Sequence, residues 1–244
     1  MPRVLVGEMM DAPDVPRDQL ARSLGYLRFV NARLGGAGAL LSHLKRWSRA
    51  WPKAGQGFVT MIDVATGSAD IPVAARRWAL GAGYDLRITG VDIHKATLAE
   101  AEAYVGGQPA DVRRGISIER GDALRLTERF ADGAFDYAHA GLFLHHLQDV
   151  EAMTALRIMD RLASRAVVWN DLVRSPLCVL VARAAVIGQP LIVRHDAVAS
   201  VRAGFTRAEA LAMAGRVGLP RVRWRREPLL HRFTLASEKP GAHG

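Results

Sequence analysis

The chain has 244 residues, half of them hydrophobic, so it is long and apolar enough to fold around one large core. This composition argues against an intrinsically disordered protein. The single cysteine, Cys178, excludes an intramolecular disulfide and disfavours a metal cluster held by thiolates.

The net charge of +9 lies at the two ends of the chain. Residues 1–56 contain nine Lys/Arg and four Asp/Glu, residues 221–244 contain six and two, and residues 57–220 contain 18 of each. Basic ends suit nucleic acid, an anionic membrane surface or an acidic partner. Because the Lys/Arg residues are not interleaved with surface aromatic residues, we expect no specific nucleic-acid partner and at most weak peripheral membrane association.

The sequence indicates neither a signal peptide nor a membrane span. No cationic start is followed by an apolar core and a cleavage site. The most apolar stretch, residues 177–193, is interrupted by Arg183. We therefore expect a cytoplasmic protein.

Helical and strand-like patterns follow one another along the chain. Residues 1–56 contain two amphipathic helical patterns, over 17–31 and 38–51, and we interpret this part as an N-terminal helical cap. After it, apolar runs start at Phe58, Leu86, Ile116, Phe135 and Ala166, and helical patterns cover 71–82, 95–105, 149–163 and 207–217. This alternation predicts an α/β fold with a parallel sheet between two layers of helices.

The turn after the first apolar run is the most informative segment. It reads Asp63-Val64-Ala65-Thr66-Gly67-Ser68-Ala69-Asp70 and leads into a helical pattern. Small residues between a strand and a helix let the backbone approach a ligand closely, as at the nucleotide sites of open α/β sheets. The turn matches neither the dinucleotide pattern GxGxxG nor a P-loop. A tight corner without a ligand is the alternative.

Three aspartates recur at the ends of successive strands. Asp63, Asp92 and Asp122 are 29 and 30 residues apart, about one βαβ unit each. Each follows an apolar run, at the sheet edge where open α/β folds bind ligands. The regular spacing favours a shared ligand over three unrelated loop aspartates.

The turn has the shape DxAxGxGD and resembles motif I of the class I S-adenosylmethionine (SAM) methyltransferases, particularly the ubiquinone/menaquinone-type branch. Ala69 stands where that branch usually has glycine. The resemblance covers residues 58–171 and continues more loosely to 236. It implies a Rossmann-like, doubly wound, mostly parallel seven-stranded sheet with an antiparallel last strand, N-terminal helices and a helical lid insertion. Residues 57–236 would form the SAM-binding core, with the lid at 172–206 and a flexible tail at 237–244.

The same resemblance implies SAM as cofactor, S-adenosylhomocysteine (SAH) as product, and a set of binding residues. Asp63 would lie near the methionine amino group, Asp92 at the ribose and Asp122 at the adenine amine. The other implied cofactor-binding residues are Ala65, Thr66, Gly67, Ile93, Ala123 and His139. In such enzymes the N-terminal helices cover the cofactor, so Tyr26, Phe29 and Asn31 are candidates to face a ligand. Residues 221–226 and 229–236 resemble the antiparallel hairpin that ends the fold.

Three histidines are candidate general bases. Transfer of a methyl group from a sulfonium is an in-line displacement that needs positioning and no metal, but a phenol or alcohol acceptor must also lose a proton. His145 and His146 follow the fourth strand, and His195 lies on the lid. The alternative is that they only fix the loop. No metal site is expected, because His145 and His146 are adjacent and no His-x-x-Glu-His arrangement or thiolate partner occurs.

These features predict SAM-dependent methylation of a small, largely apolar acceptor, phenolic, quinone-like or lipid-like, at oxygen or carbon, as in secondary metabolism. Two alternatives remain open. A nucleic-acid methyltransferase would explain the charge, but the Asn/Asp-Pro-Pro-aromatic turn typical of base-amine methylation is missing after the fourth strand. A non-catalytic protein that binds SAM or a partner is indicated only by Ala69. The acceptor and the oligomeric state are not indicated.

Overall fold

The fold is that of a computed structural model, which describes residues 1–12, 14–33, 35–227 and 232–241. The strands are β1 (Val59–Val64), β2 (Leu86–Asp92), β3 (Ile116–Arg120), β4 (Phe135–Gly141), β5 (Ala163–Leu172), β6 (Arg223–Arg226) and β7 (Arg232–Glu238). The helices are α1 (Arg17–Arg33), α2 (Gly36–Trp47), α3 (Asp70–Gly81), α4 (Lys95–Gly106), α5 (Ala110–Arg113), α6 (Asp149–Leu162), α7 (Pro176–Ala185), α8 (Leu191–Ala203) and α9 (Arg207–Val217).

The seven strands form one sheet in the order β3-β2-β1-β4-β5-β7-β6. Strands β1 to β5 pair in parallel, and β7 is antiparallel to both of its neighbours. This arrangement confirms the predicted Rossmann-like fold with an antiparallel last strand. The strand order reverses between β1 and β4, and a crevice at the carboxyl ends of the strands is expected at that point.

Helices cover both faces of the sheet, so its central strands are buried on both sides. On β1, Ile62 packs with the helix α6 residue Leu156 on one face, whereas Met61 packs with Leu44 of α2 on the other. A strand buried on both faces reads as a nearly continuous apolar run. This explains why the strands were recognisable in the sequence.

Two sequence-based boundaries are wrong. The second N-terminal helix ends at Trp47, followed by a 3-10 turn at Ser48–Ala50, because Trp51 turns inward and its indole Nε1 donates to the hydroxyl of Tyr137 (2.8 Å). The segment predicted as a flexible tail is ordered at its start. Ser237 and Glu238 complete β7, where the Ser237 hydroxyl donates to the carbonyl of Pro220 (2.7 Å).

The last hairpin is shifted relative to its prediction. Its strands are β6 and β7, and residues 228–231, which include the predicted start of the second strand, lie outside the described residues. Within the described part of the chain, no helix is both long and apolar enough to span a membrane.

Candidate functional site

A cavity of about 560 Å³ opens at the carboxyl edge of the sheet, at the point where the strand order reverses. Its walls come from the ends of β1, β2, β4 and β5, from helices α1, α7 and α8, and from the N-terminal residues Glu8, Met10 and Asp11. Its volume lies within the range of about 300–1,000 Å³ typical of small-molecule sites.

The turn after β1 is held by hydrogen bonds between its own residues and β4. The Asp63 carboxylate bonds His139 Nδ1 through one oxygen (2.5 Å) and accepts from the Thr66 hydroxyl through the other (2.6 Å). Gly90 of β2 makes room for this arrangement, because a Cβ there would lie 2.8 Å from the Thr66 hydroxyl oxygen. The other ring nitrogen of His139, Nε2, is buried and has no hydrogen-bond partner among the described residues.

Asp92 fixes the position of the same turn from β2. One of its oxygens accepts from the backbone N–H of Gly67 (3.1 Å), and the other accepts from that of His94 (3.0 Å). Burial raises the pKa of Asp92 and outweighs these two hydrogen bonds, which lower it. Further hydrogen-bond donors, such as ligand hydroxyls, would stabilise the charged form of a buried carboxylate at the cavity wall.

The two small residues of the turn have different surroundings. Gly67 has a φ of +56°, and a Cβ at this position would meet no atom of the described protein within 4 Å, because it would project into open space. Ala69 also has a positive φ, +58°, but its side chain is fully buried beside Val73 and Ala101 and does not line the cavity. The methyl group of Ala69 therefore does not narrow the cavity.

On the β4–β5 side of the cavity, a buried histidine lies between two carboxylates. His145 Nδ1 bonds Asp171 (2.7 Å), and His145 Nε2 contacts Glu8 (3.3 Å). The neighbouring ring, His146, bonds Asp11 through Nδ1 (2.9 Å) and lies 3.8 Å from Glu8 through Nε2. We call Glu8, His145 and His146 the Glu8 cluster. All three residues line the cavity.

The charges in this region shift the pKa values of His145 and Glu8. Burial alone would lower the pKa of His145, but the charge and hydrogen bonds of Asp171 and Glu8 outweigh burial and raise the pKa to about 10. Burial would likewise raise the pKa of Glu8, yet the two histidines bring it below its usual value. The two carboxylates therefore favour a proton on His145, which opposes its action as a general base.

A second buried cation, Arg232 at the start of β7, also lines the cavity. Its guanidinium makes no hydrogen bond or ion pair with any residue that the structure describes, and its burial lowers the pKa to about 10. Asn31 and Asp70 line the same part of the wall and are joined by a hydrogen bond from Asn31 Nδ2 (2.9 Å). A buried guanidinium without a close partner is suited to bind an anionic group of a ligand.

The remaining wall is apolar and includes residues of the insertion after β5. The insertion contains α7 and α8, which contribute Val181, Ala182, Ala185, Val186, Ala197 and Val201. Helix α1 adds Leu24, Leu27 and Val30 from the opposite side. This part of the cavity suits an apolar ligand group.

The structure brings nearly all of the sequence-predicted site residues to this one cavity. The residues that line it are Asp63, Ala65, Thr66, Gly67, Asp92, Ile93, Asp122, Ala123, His139, His145 and His146, together with Tyr26 and Asn31. His195 and Phe29 do not line it. The His195 side chain is 37% exposed and bonds its neighbour Asp196 (2.9 Å), because helix α8 turns it away from the cavity. Phe29 is 54% exposed on the outer face of α1.

Sequence reasoning missed Glu8, Asp171 and Arg232. Asp171 had a signal, since it follows an apolar run as Asp63 and Asp92 do. Glu8 lies 137 residues before His145 in a segment without a regular pattern, and Arg232 lies in a segment that was predicted only as the last strand of the sheet.

Comparison with known proteins matches part of the chain to one family. Residues 58–165 match the family model described as a methyltransferase domain. Among curated proteins, none matches the sequence. The match covers β1 to the start of β5, including the turn with Gly67 and the loop with His145.

Solved structures with low identity share the fold. The methyltransferase domain of bacterial CtHen1 is 17% identical with a TM-score of 0.56, covering 83% of this chain and 97% of that one. A candidate O-methyltransferase from Nostoc punctiforme is 16% identical with a TM-score of 0.59, covering 89% and 60%. PigF with SAH is 17% identical with a TM-score of 0.53, covering 74% and 50%. The chain thus spans only about half to three fifths of the last two proteins.

Proposed function

We propose that this chain, which contains a class I SAM-dependent methyltransferase domain, transfers the methyl group of SAM to a small, largely apolar acceptor. The observation that carries the proposal is the cavity itself. One part is formed by the turn after β1 and by Asp92 and Asp122, and another by the apolar side chains of α1, α7 and α8. A cofactor and an apolar acceptor would meet between them.

The residues present suit SAM in three respects. The turn has open space at Gly67, where any side chain would project into the cavity. Two polar groups on the wall have no partner among the described residues, namely the Nε2 of buried His139 and the guanidinium of Arg232. We propose that Asp92 accepts from ribose hydroxyls, that Asp122 lies at the adenine, and that Arg232 binds the methionine carboxylate.

When bound, SAM supplies a methyl group attached to a sulfonium sulfur. As the methyl group passes to the acceptor, the electron pair of the broken S–CH₃ bond stays on sulfur. The contribution of the chain is to hold the reacting groups in line. Positioning of this kind can supply several kcal/mol of barrier lowering, up to roughly 7–11 kcal/mol in model reactions. The walls formed by α7 and α8 would exclude water, and the Glu8 cluster faces the acceptor side.

We propose oxygen or carbon as the acceptor atom and a phenolic, quinone-like or lipid-like acceptor. Similarity to a candidate O-methyltransferase supports oxygen as the acceptor atom. The apolar wall of the cavity supports an apolar acceptor molecule. Pairing with acidic residues of the chain occupies three arginines of the basic ends, which weakens the case for nucleic acid. Arg3 pairs with Asp149 (2.6 Å), Arg225 pairs with Glu227 (2.7 Å), and Arg46 pairs with Glu238.

The test is calorimetry with SAM and SAH, followed by mass spectrometry of candidate phenols, quinones and lipids incubated with SAM. We expect binding of both cofactor forms and a mass gain of one methyl group in at least one apolar acceptor. Failure to bind either SAM or SAH would refute the proposal. Sequence-selective methylation of DNA or RNA, without turnover of small molecules, would show that the acceptor is a nucleic acid and refute the proposed small-molecule acceptor.

We further propose a cytoplasmic location, with no more than weak peripheral contact with membranes. Sedimentation with anionic vesicles at low and high salt measures that contact, since the attraction between exposed charges is screened as salt rises.

A further inference from the structure

The Glu8 cluster has the donor set of a transition-metal site. Two imidazole nitrogens and one carboxylate oxygen, from Glu8, His145 and His146, lie within 4.8 Å of one another. Three protein ligands of the His₂Glu type, with one position left for water or substrate, are found in catalytic zinc sites. The neighbouring positions of His145 and His146 in the chain place their rings 4.2 Å apart.

The spacing of the ligand atoms suits one small cation. Ligands roughly 2.0–2.1 Å from a tetrahedral ion lie roughly 3.3–3.4 Å from each other. The Glu8 oxygen lies 3.3 Å from Nε2 of His145 and 3.8 Å from Nε2 of His146. These two distances are close to that separation, and all three ligand atoms lie within 4.8 Å of one another.

Both histidines also have the outer partners that metal-binding histidines need. A histidine ligand commonly donates its second ring N–H to a carboxylate, which fixes the ring and selects the nitrogen that faces the metal. His145 Nδ1 bonds Asp171, and His146 Nδ1 bonds Asp11 (2.7 and 2.9 Å). In each case the nitrogen left over, Nε2, is the one directed at Glu8. A general-base role would not require this arrangement on two adjacent rings.

The third ligand is itself held in place. The carboxylate of Glu8 accepts from the hydroxyl of Ser200 on α8. The backbone N–H groups of Met9 and Met10 donate to Asp196 (2.7 and 3.1 Å), which anchors the 3-10 turn that follows Glu8. The N-terminal segment is thus fastened to α8 with Glu8 on the cavity wall.

We propose that Glu8, His145 and His146 bind a divalent first-row transition ion of the zinc type, which displaces the Nε2 proton of His145 to solvent and offers a free coordination position to an acceptor oxygen in the cavity. This differs from the sequence-based expectation of no metal site, which considered the two histidines without Glu8. The proposed ion site is argued from the Glu8 cluster alone. Its proposed role toward the acceptor depends on the proposed methyl transfer. Imidazole ligands favour zinc over magnesium, which prefers oxygen.

The experiment measures metal binding by the full chain without SAM or acceptor. Metal is removed with a chelator, and Zn²⁺ and Mg²⁺ are titrated by calorimetry, with Co²⁺ added as a visible absorption probe of the ligand set. We expect one equivalent of Zn²⁺ at the cluster, binding at least tenfold tighter than Mg²⁺, and Co²⁺ absorption bands that Zn²⁺ abolishes.

The variants are His146→Ala, Glu8→Gln and Asp11→Ala, with His195→Ala as the matched control. His195 is also bonded to a carboxylate but lies outside the cavity. We expect the first two to lose the Zn²⁺ site, and Asp11→Ala to weaken it about 10–100-fold through His146. The control should bind Zn²⁺ like the wild type. Because the His146 side chain is 26% exposed, its replacement should leave the fold intact, as circular dichroism would show.

Two results would overturn the inference. The first is the absence of a stoichiometric Zn²⁺ site in the wild type, and the second is equal Zn²⁺ affinity in the wild type, His146→Ala and Glu8→Gln. Calorimetry with SAM on the same metal-free samples separates this outcome from a failure of the proposed function. SAM affinity in the variants should stay within a factor of about three of the wild type. SAM binding without a Zn²⁺ site would refute the proposed metal site and leave the proposed methyl transfer unaffected.

Discussion

The role of Asp92 can be tested by its replacement with alanine. If two ribose hydroxyls donate to its buried carboxylate, the loss of charge-assisted hydrogen bonds should cost about 1.5–3 kcal/mol in SAM binding. At about 1.4 kcal/mol per factor of ten, this corresponds to a roughly 10–150-fold increase in Kd. Calorimetry with SAM at neutral pH measures the change directly.

The same carboxylate accepts two backbone N–H groups, from Gly67 and His94, so the substitution also affects folding. Leaving one buried donor without a partner costs about 1–3 kcal/mol, and chemical denaturation of the SAM-free variant measures this separately. The matched control is Asp136→Ala. Asp136 accepts from the Thr60 backbone N–H (2.8 Å) but does not line the cavity. The Asp136→Ala variant should lose folding stability and keep its SAM affinity. Unchanged affinity in Asp92→Ala, or an equal loss in both variants, would refute the assignment.

Four further expectations follow from the cavity and the core. Gly67→Val should abolish SAM binding, whereas Gly133→Val, with a similar strain (φ +71°) in a turn outside the cavity, should only lower stability. Ala69→Gly should keep its SAM affinity, and its free energy of unfolding should change by less than about 1 kcal/mol, because relief of the positive φ offsets the lost buried methyl. Arg232→Gln should weaken SAM at least tenfold but leave 5′-methylthioadenosine, which has no carboxylate, unaffected in calorimetry. Burial, with nearby arginines, lowers the pKa of His43 from 6.5 to about 4. The unfolded chain then binds the extra proton first, so the contribution of His43 to the free energy of unfolding should fall by about 2 kcal/mol from pH 7 to pH 5. Denaturant titrations of the wild type and His43→Gln at the two pH values measure this contribution as the difference between them.

The carboxyl edge of the sheet, with Asp63, Asp92 and Asp122, could be predicted because the sequence patterns that indicate it are local. Each strand, the acid at its end and the following helix are continuous in the chain, and parallel pairing brings the ends of successive strands together without further information. Asp63, Asp92 and Asp122 therefore lie on one cavity wall as expected. The failure at His195 has an equally simple reason. A helical insertion has an inner and an outer face, and the sequence did not show that His195 belongs to the outer one.

The side of the cavity with the Glu8 cluster could not be predicted because its residues come from distant parts of the chain. Glu8 belongs to the N-terminal segment, His145 to the loop after β4, and Asp171 to β5. No periodic pattern links an isolated glutamate to a histidine that follows 137 residues later. Their contact depends on tertiary packing between segments that are distant in the sequence.

Arg3 explains how an N-terminal segment with little regular structure reaches this position. Its guanidinium donates to the carbonyl of Leu147 (2.8 Å) beyond β4 and to that of Ala203 (2.7 Å) at the end of α8. It thereby joins the loop that carries the histidines to the helix that carries Ser200. Glu8 lies between these two elements and bonds a residue from each, His145 and Ser200. The basic charge of this end is therefore partly structural, and the cavity wall with the Glu8 cluster depends on contacts that the turn after β1 does not indicate.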